Sequence, residues 1–349
     1  MLCGKIYGLF ALWCSTAVAS PTINVPLAAT TIPLPHRVIT QFEAADIWIE
    51  NLAVRPNGNL LLTSFLPNAS LYEVLRPDSS SPTRLRHFTI KSITSLLGIA
   101  EVSPDNYVFV GGNVSLATGG VEGTWGLWSV DFNAQSPSPK LVTQLPHAFL
   151  LNGVIIAPQK NNLVLISDSS LNLVWRVDLA TRKVDIAAQF QDNTIPPVGL
   201  VVGINGIKIR DGFLWWTNRT EITNPSTGKP ETDMYRIQVD QNGSPVHNAK
   251  AEKVVEFASP ALDDFVYGPG NRDLKWVTTN VGNVVYAVGA TGQKVIVGGS
   301  ANSTDFATAT ACQFGRTRRD SNILYVTTGG VSGVEGGKVQ AIDTTGFSL

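Results

Sequence analysis

The stretch Ile49-Glu50-Asn51-Leu52-Ala53-Val54-Arg55-Pro56-Asn57-Gly58-Asn59-Leu60-Leu61-Leu62-Thr63-Ser64 decides the fold. It reads as a short apolar strand, a Pro-Asn-Gly turn and a second apolar strand, with an acid and a carboxamide immediately before the first strand. A looser copy runs from Leu97-Gly98-Ile99 through Pro104-Asp105-Asn106 to Val110, and clearer ones begin at Leu151-Asn152-Gly153 and Ile204-Asn205-Gly206. Two more start at Asp263-Asp264-Phe265 and Cys312-Gln313-Phe314, each followed by a β-rich run at 274–279 and 323–328. With Glu50, Gly98, Asn152, Asn205, Asp264 and Gln313 as markers, the steps are 48, 54, 53, 59 and 49 residues. A period near 50 built from short strands is the signature of propeller blades. The expectation is an all-β, six-bladed β-propeller with four-stranded antiparallel blades.

The last repeat runs out after Lys338–Asp343, too soon for a fourth strand. His36–Phe42, ahead of the first repeat, has the length and composition to supply it, so an N-terminal strand is expected to close the ring in the last blade and remove an open sheet edge.

Composition agrees with this reading. The chain has 349 residues, 44% hydrophobic and 15% charged, with 31 Gly and 20 Pro, which suits a large core joined by many turns. Its formal net charge of -1 offers no basic field for nucleic acid or anionic lipid. Lys5, the apolar run Ile6–Trp13 and Ala17-Val18-Ala19 read as a signal peptide over residues 1–19, leaving 20–349 as a single propeller domain. The apolar run falls short of the ~20 residues of a spanning helix, so no membrane span is expected. Secretion, or residence in the secretory lumen, follows, and four sequons, at Asn68, Asn113, Asn218 and Asn302, make a glycoprotein the expectation. Cleavage removes Cys3 and Cys14 and leaves Cys312, which reads as a buried, inert thiol.

In a propeller the marker residues precede the innermost strands and converge on one mouth of the central channel. Glu50, Asn51, Asn152, Asn205, Asp264 and Gln313 are therefore the candidate catalytic residues, with Asp263 placed as well as Asp264. Such groups often cap turns through the local backbone, but six at one register imply a shared polar partner. Acids and carboxamides are hard oxygen donors for Ca2+ or Mg2+, whereas His36, His87, His147 and His247 lie off the markers and do not suit a softer metal. Trp48, Phe149, Phe265 and Phe314 flank the markers as candidate substrate-binding walls; Trp215, Trp216 and Trp276, within second strands, read as packing between blades.

The repeat and its markers resemble the SMP-30/gluconolactonase/LRE-like propellers. That resemblance implies a divalent cation on the axis held by Glu50, Asn152, Asn205 and Asp264, and lactone hydrolysis as one activity. The Pro-Asp-Gly of its lactonases is replaced here by Ile204-Asn205-Gly206, and the blade-two marker is the apolar Leu96-Leu97-Gly98. Glu50–Gly58, Ile204–Ile209 and Gln313–Thr317 are similar to a fungal secreted branch of these propellers, some of which accompany secondary-metabolite pathways. Members with assigned chemistry resemble hetero-Diels-Alderases that join a tropolone-derived ortho-quinone methide to a humulene-type sesquiterpene. The resemblance thus implies a cyclase acting on small molecules, at least one of them apolar, with no cofactor required for cycloaddition. A metal-dependent lactonase or esterase is the alternative, and a non-catalytic binding propeller the second alternative.

Overall fold

The computed structural model describes residues 1, 31–158, 160–190, 203–223, 230–259, 261–269 and 273–349. The expected signal peptide, Cys3 and Cys14 lie outside the described residues. Among those described there is no helix, and none long and apolar enough to cross a membrane.

Strand β1 (His36–Gln41) stands apart from the first blade. Blade I is β2 (Trp48–Val54), β3 (Leu60–Leu66), β4 (Ser70–Leu75) and β5 (Thr83–Thr89). Blade II comprises β6 (Ser95–Ser103), β7 (Asn106–Gly112), β10 (Gly126–Asp131) and β11 (Lys140–Gln144), with a small hairpin of β8 (Val114–Ser115) and β9 (Gly119–Gly120) in the loop between β7 and β10. Blade III is β12 (Leu151–Ile156), β13 (Leu163–Asp168), β14 (Leu173–Asp178) and β15 (Val184–Gln189); blade IV is β16 (Ile204–Arg210), β17 (Phe213–Thr223), β18 (Pro230–Gln238) and β19 (Glu252–Phe257). Blade V is β20 (Phe265–Tyr267), β21 (Lys275–Thr278), β22 (Val284–Val288) and β23 (Lys294–Gly299). Blade VI holds β24 (Ala309–Phe314), β25 (Ile323–Thr328) and β26 (Lys338–Asp343), and its fourth strand is β1, antiparallel to β26 from His36↔Ile342 to Gln41↔Lys338. Six four-stranded antiparallel sheets and the closure by an N-terminal strand agree with the sequence reading.

Strand burial follows position within a blade. Strand β3 is buried at all but its last residue, because both faces of an inner sheet region are covered, and it reads as an unbroken apolar run. The outer β5 carries Arg and His and is half open to solvent. The core is divided into six clusters, one at each joint between neighbouring blades. Trp216 and Trp276, both 1% exposed, pack at the III/IV and V/VI joints as expected for packing residues. Cys312 belongs to the V/VI joint; burial pushes its thiol pKa up, and the Asp264 charge adds to the effect, so it stays protonated.

Polar clamps supplement the joints. Arg55, presented by the Pro-Asn-Gly turn where Gly58 takes a φ of +88°, grips Asp105 of blade II through two N–H groups at 2.9 and 2.6 Å. A third N–H donates to Glu73 at 2.6 Å, and the other Glu73 oxygen meets His87 at 2.7 Å. Burial favours the neutral form of Glu73, but hydrogen bonds from His87, Arg55 and Asn59 outweigh it and hold its pKa below the ordinary 4.5.

The sequons differ in environment. Asn68 and Asn302 are exposed, Asn113 is half-buried and accepts from the Thr94 amide, and Asn218 is 1% exposed inside the blade IV sheet. A glycan on Asn218 would need this buried side chain to leave the sheet.

Because its folded pKa is depressed, Glu73 contributes stability that is present above its unfolded value and lost as pH falls through the folded one. Glu73→Gln is expected to cost about 3 kcal/mol near neutral pH by leaving Arg55 half paired. Its denaturation midpoint should also fall less than the wild-type midpoint on acidification below pH 4.5. Denaturant unfolding of both chains across pH checks this.

Candidate functional site

The inner strands share one device. In blades I, II, III, IV and VI a residue near the strand start interrupts regular pairing: for example, Ile49↔Ser64 is followed by Asn51↔Thr63, Leu151↔Asp168 by Val154↔Ile166, and Ile204↔Asn218 by Ile207↔Trp216. This bulge turns the intervening residues toward the axis. Hydroxyls, three on second strands and Thr310 on the inner strand of blade VI, tie the bulges together. Ser167 Oγ donates to the Asn205 carbonyl at 2.7 Å, Thr217 Oγ1 to the Asp263 carbonyl, Thr278 Oγ1 to the Thr310 carbonyl at 2.8 Å, and Thr310 Oγ1 to the Ile49 carbonyl at 2.8 Å. Each bond crosses from one blade to the next.

The pairing fixes the true equivalences. Counting back from Leu52↔Leu62, Ile99↔Phe109, Val154↔Ile166, Ile207↔Trp216, Phe265↔Val277 and Cys312↔Val326, the first axial position holds Glu50, Leu97, Asn152, Asn205, Asp263 and Thr310. Asp263, not Asp264, therefore stands in register with Glu50, Asn152 and Asn205. The blade II member is Leu97 rather than Gly98. Gln313 lies three residues farther along, in register with Ala53, Ala100, Ile155 and Lys208. Apolar residues around the marker in blades II and VI obscured this slip in the sequence.

The candidate residues fall into two groups. At the first position Asn205 Nδ2 donates to Asp263 Oδ1 at 2.8 Å, the other Asp263 oxygen accepts from Asn280 Nδ2 at 2.5 Å, and Trp48 Nε1 donates to Glu50 Oε2 at 2.7 Å. Asn152 is 6% exposed at the same level. The second group surrounds a cavity of about 380 Å3 on the axis, lined from all six blades by residues that include Asn51, Asp264, Gln313 and Phe314. Its lining runs from Asn51 to Val54, Glu101, Ile156 and Arg316 at the far ends of the inner strands, so it opens opposite to the mouth where the marker residues begin. The candidate residues are expected to converge at the mouth over the strand starts, whereas the cavity lies toward the other end of the channel.

Lys208, which the sequence reading passed over, is central to this cavity. Its Nζ donates to Asp264 Oδ1 at 2.6 Å and lies 5.2 Å from the Phe265 ring centroid. The same Asp264 oxygen accepts from the Phe265 amide at 2.7 Å, and Asp264 Oδ2 accepts from Asn51 Nδ2 at 3.3 Å. Gly206 makes the arrangement possible, because a Cβ there would overlap the Asp264 carboxylate. Lys208 lies inside an apolar stretch, Ile207-Lys208-Ile209; a cation between two isoleucines in an inner strand was the available signal.

The wall is chemically divided. Blades I to III contribute chiefly Ala53, Val54, Ile99, Ala100, Val154 and Ile156, whereas blades IV to VI present Lys208, Asp264 and Gln313. Toward the mouth Arg316 joins Glu101 at 2.5 Å and donates to the Val54 carbonyl at 2.9 Å. The Tyr107 hydroxyl, also in the lining, is buried without a hydrogen-bond partner among the described residues. Burial, then the Glu101 and Asp105 charges, push its pKa above the ordinary phenol value, so it remains a neutral donor.

The aromatic candidates separate in the same way. Phe314 lines the cavity, but Phe265 is fully buried in the IV/V joint and cannot form wall directly. Trp48 packs on Phe65 with centroids 5.5 Å apart, and Phe149 is half-buried with its amide donating to Asp168; both stand at the strand starts, away from the cavity. Trp215, 8% exposed, lies in the IV/V joint.

The implied divalent cation can be tested against these groups. The Asn205 Oδ1 is buried with no hydrogen-bond partner among the described residues, beside the Asp263 carboxylate, as a hard-cation site would have it. Asp264 fits poorly in that role, since an ammonium already occupies its oxygen at 2.6 Å. The set that fits is Glu50, Asn152, Asn205 and Asp263.

No family model matches the chain. A protein of Phoma sp provisionally named a hetero-Diels-Alderase is 33% identical over 346 residues, covering 92% of this chain and 94% of the relative. A Sarocladium schorii protein with the same provisional name is 33% identical over 357 residues, covering 92% of this chain and 86% of its own length. Among solved structures, the calcium-binding regucalcin of Agrobacterium tumefaciens superposes with a TM-score of 0.59 at 16% identity, covering 90% of this chain and 97% of its own. The gluconolactonase of Xanthomonas campestris gives 0.57 at 13% identity, covering 92% and 93%. At those identities the structures speak to the propeller fold alone, whereas the two sequence relatives span nearly the whole chain; it is an enzyme of the hetero-Diels-Alderase family.

Proposed function

We propose that the axial cavity catalyses an intermolecular hetero-Diels–Alder addition between an oxygenated heterodiene, of the tropolone-derived ortho-quinone methide type, and an alkene of a humulene-type sesquiterpene. The supporting observation is the divided wall, chiefly apolar on blades I to III, where Asn51, Glu101 and Tyr107 are the polar members, and chiefly polar on blades IV to VI, where Phe314 is the apolar one. Such an addition forms a C–O and a C–C σ bond, with no leaving group and no net proton transfer. A catalyst therefore has to hold two unlike partners in contact and draw electron density toward the heterodiene oxygen.

The residues suit both tasks. The hydrocarbon partner packs against the Val, Ile and Ala side chains, and the cavity volume of about 380 Å3 is that of a small-molecule site. Lys208 donates one N–H to Asp264 and keeps others for the quinone-methide oxygen; its positive charge, held in place by Asp264, strengthens the donor and lowers the acceptor orbital. The Gln313 carboxamide, with no hydrogen bond among the described residues, orients a second oxygen. Tyr107 offers a further donor near the mouth. Phe314 covers the planar ring system.

A divalent cation bound by Glu50, Asn152, Asn205 and Asp263 would supply Lewis-acid polarisation of a ligand oxygen at the opposite end of the channel. That arrangement supports the lactonase alternative. The relatives in sequence favour cycloaddition. Residues 1–19 support secretion, or residence in the secretory lumen, as the setting.

With a quinone-methide precursor and a humulene-type alkene, the wild-type chain is expected to give one stereoisomer faster than the spontaneous reaction, with or without chelator. Lys208→Met should slow it about 100-fold, as loss of one preorganised donor does elsewhere. Chiral chromatography of timed samples reads both. Stereorandom product at the uncatalysed rate would remove the cycloaddition reading; stereoselective product at wild-type rate from both Lys208→Met and Gln313→Leu would remove the cavity as its site.

The Lys208–Asp264 pair is expected to act as a unit. Lys208→Met and Asp264→Asn should each cost about 3 kcal/mol by leaving a buried partner exposed to a low dielectric. The double variant should recover about 2 kcal/mol relative to the sum. Equilibrium denaturation of the four chains measures this, and additive losses would show that the pair is not coupled.

A further inference from the structure

We propose that a crevice between blades IV and V, separate from the axial cavity, binds a small carboxylate. The crevice measures about 200 Å3, the volume of six or seven waters at ~30 Å3 each. It opens at the ends of β16 and β20, where Arg210 and Tyr267 stand, and is floored by Lys275, the first residue of β21.

Lys275 is the unusual group. It is 2% exposed, yet its Nζ has a single hydrogen-bond acceptor, the Asp273 backbone carbonyl at 3.1 Å, and no carboxylate within ion-pair reach among the described residues. The Trp215 and Tyr267 rings lie 4.7 and 5.6 Å from the ammonium. Their faces offset only part of the hydration it has lost. Burial, and then repulsion from Arg210 and Arg236, lower its pKa against the opposing pull of Asp273.

A second observation is independent of this charge. The Tyr267 hydroxyl is buried and has no hydrogen-bond partner among the described residues, and it lines the same crevice. A buried ammonium without an anion and a buried hydroxyl without an acceptor ask for the same thing, an oxyanion with two acceptor atoms. Arg236, stacked 4.7 Å from the Phe213 centroid at the rim, adds positive potential. The acids nearby do not satisfy the inner charge: Asp211 is 81% exposed and tied to Arg210, and Glu252 is 56% exposed and tied to Arg236. A singly charged carboxylate matches one buried ammonium, whereas a phosphate dianion would bring excess charge toward Asp211 and Asp273. The aromatic side chains favour a carboxylate with an apolar body.

The test is calorimetric titration of the full chain with sodium benzoate, and in parallel with inorganic phosphate. Saturable benzoate binding is expected, weaker by about tenfold in Lys275→Met and by a smaller factor in Tyr267→Phe, with phosphate binding weaker than benzoate. Arg236→Gln, at the rim, should also weaken binding and guards against misfolding of the buried variant. Cycloaddition should be unchanged in Lys275→Met, which separates this site from the axial one. Absence of saturable benzoate binding into the tens of millimolar, or equal affinity in wild type, Lys275→Met and Arg236→Gln, overturns the site. Phosphate binding as tight as benzoate overturns the carboxylate assignment.

Discussion

None of the six sheets covers its own apolar faces. Leu61 and Tyr107 meet only because blade I lies against blade II, and Ala311 and Leu52 only because blade VI lies against blade I. Apolar burial is the main favourable term in folding, and here nearly all of it sits at joints between blades. An open ring would leave the faces of two end blades in water. Closure by β1 on β26 is therefore the condition on which the other joints depend, and it covers the edge of β26 that β25 leaves open.

The same ring sets the chemistry of the axis. Inner strands approach so closely that their bulged residues are either small or tightly hydrogen-bonded to the next blade, as in the relay of Ser167, Thr217, Thr278 and Thr310 hydroxyls onto neighbouring carbonyls. This relay holds the backbone carrying Asn205, Asp263 and Glu50 without using their side chains. The side chains are left for a ligand or for one another. A rigid backbone beneath the polar groups is what preorganised catalysis needs, since donors that must be reorganised during the reaction lose their advantage.

Two polar levels result, and they differ in kind. The first, at Glu50, Asn152, Asn205 and Asp263, offers oxygen atoms and one unsatisfied carboxamide oxygen, which is cation chemistry. The second, at Lys208, Asp264, Asn51 and Gln313, already contains its positive charge and faces an apolar wall. A fixed ammonium can polarise an oxygen without a metal, and the apolar wall beside it lowers the local dielectric and strengthens the interaction. That pairing of charge with hydrocarbon is what the proposed cycloaddition uses.

The repeat of short apolar strands about every 50 residues, its turns and the displaced first strand were legible because they are local patterns whose period survives in the sequence. So were the residue types at the axis, since Glu50, Asn152 and Asn205 each precede an apolar strand. Tertiary structure decided the rest. Whether Asp263 or Asp264 belongs with them depends on the backbone hydrogen bonds that set both opposite Thr278, an irregularity with no strong local signal. Gln313 moved to the second level for the same reason. Phe265 turned into a joint rather than a pocket, and Lys208, anonymous in its strand, became the cavity's charge only when Gly206 left space for Asp264 across the blade boundary. Periodicity records which face of a strand is apolar; which polar groups share an axis depends on how neighbouring blades meet, and that is a long-range property no single segment contains.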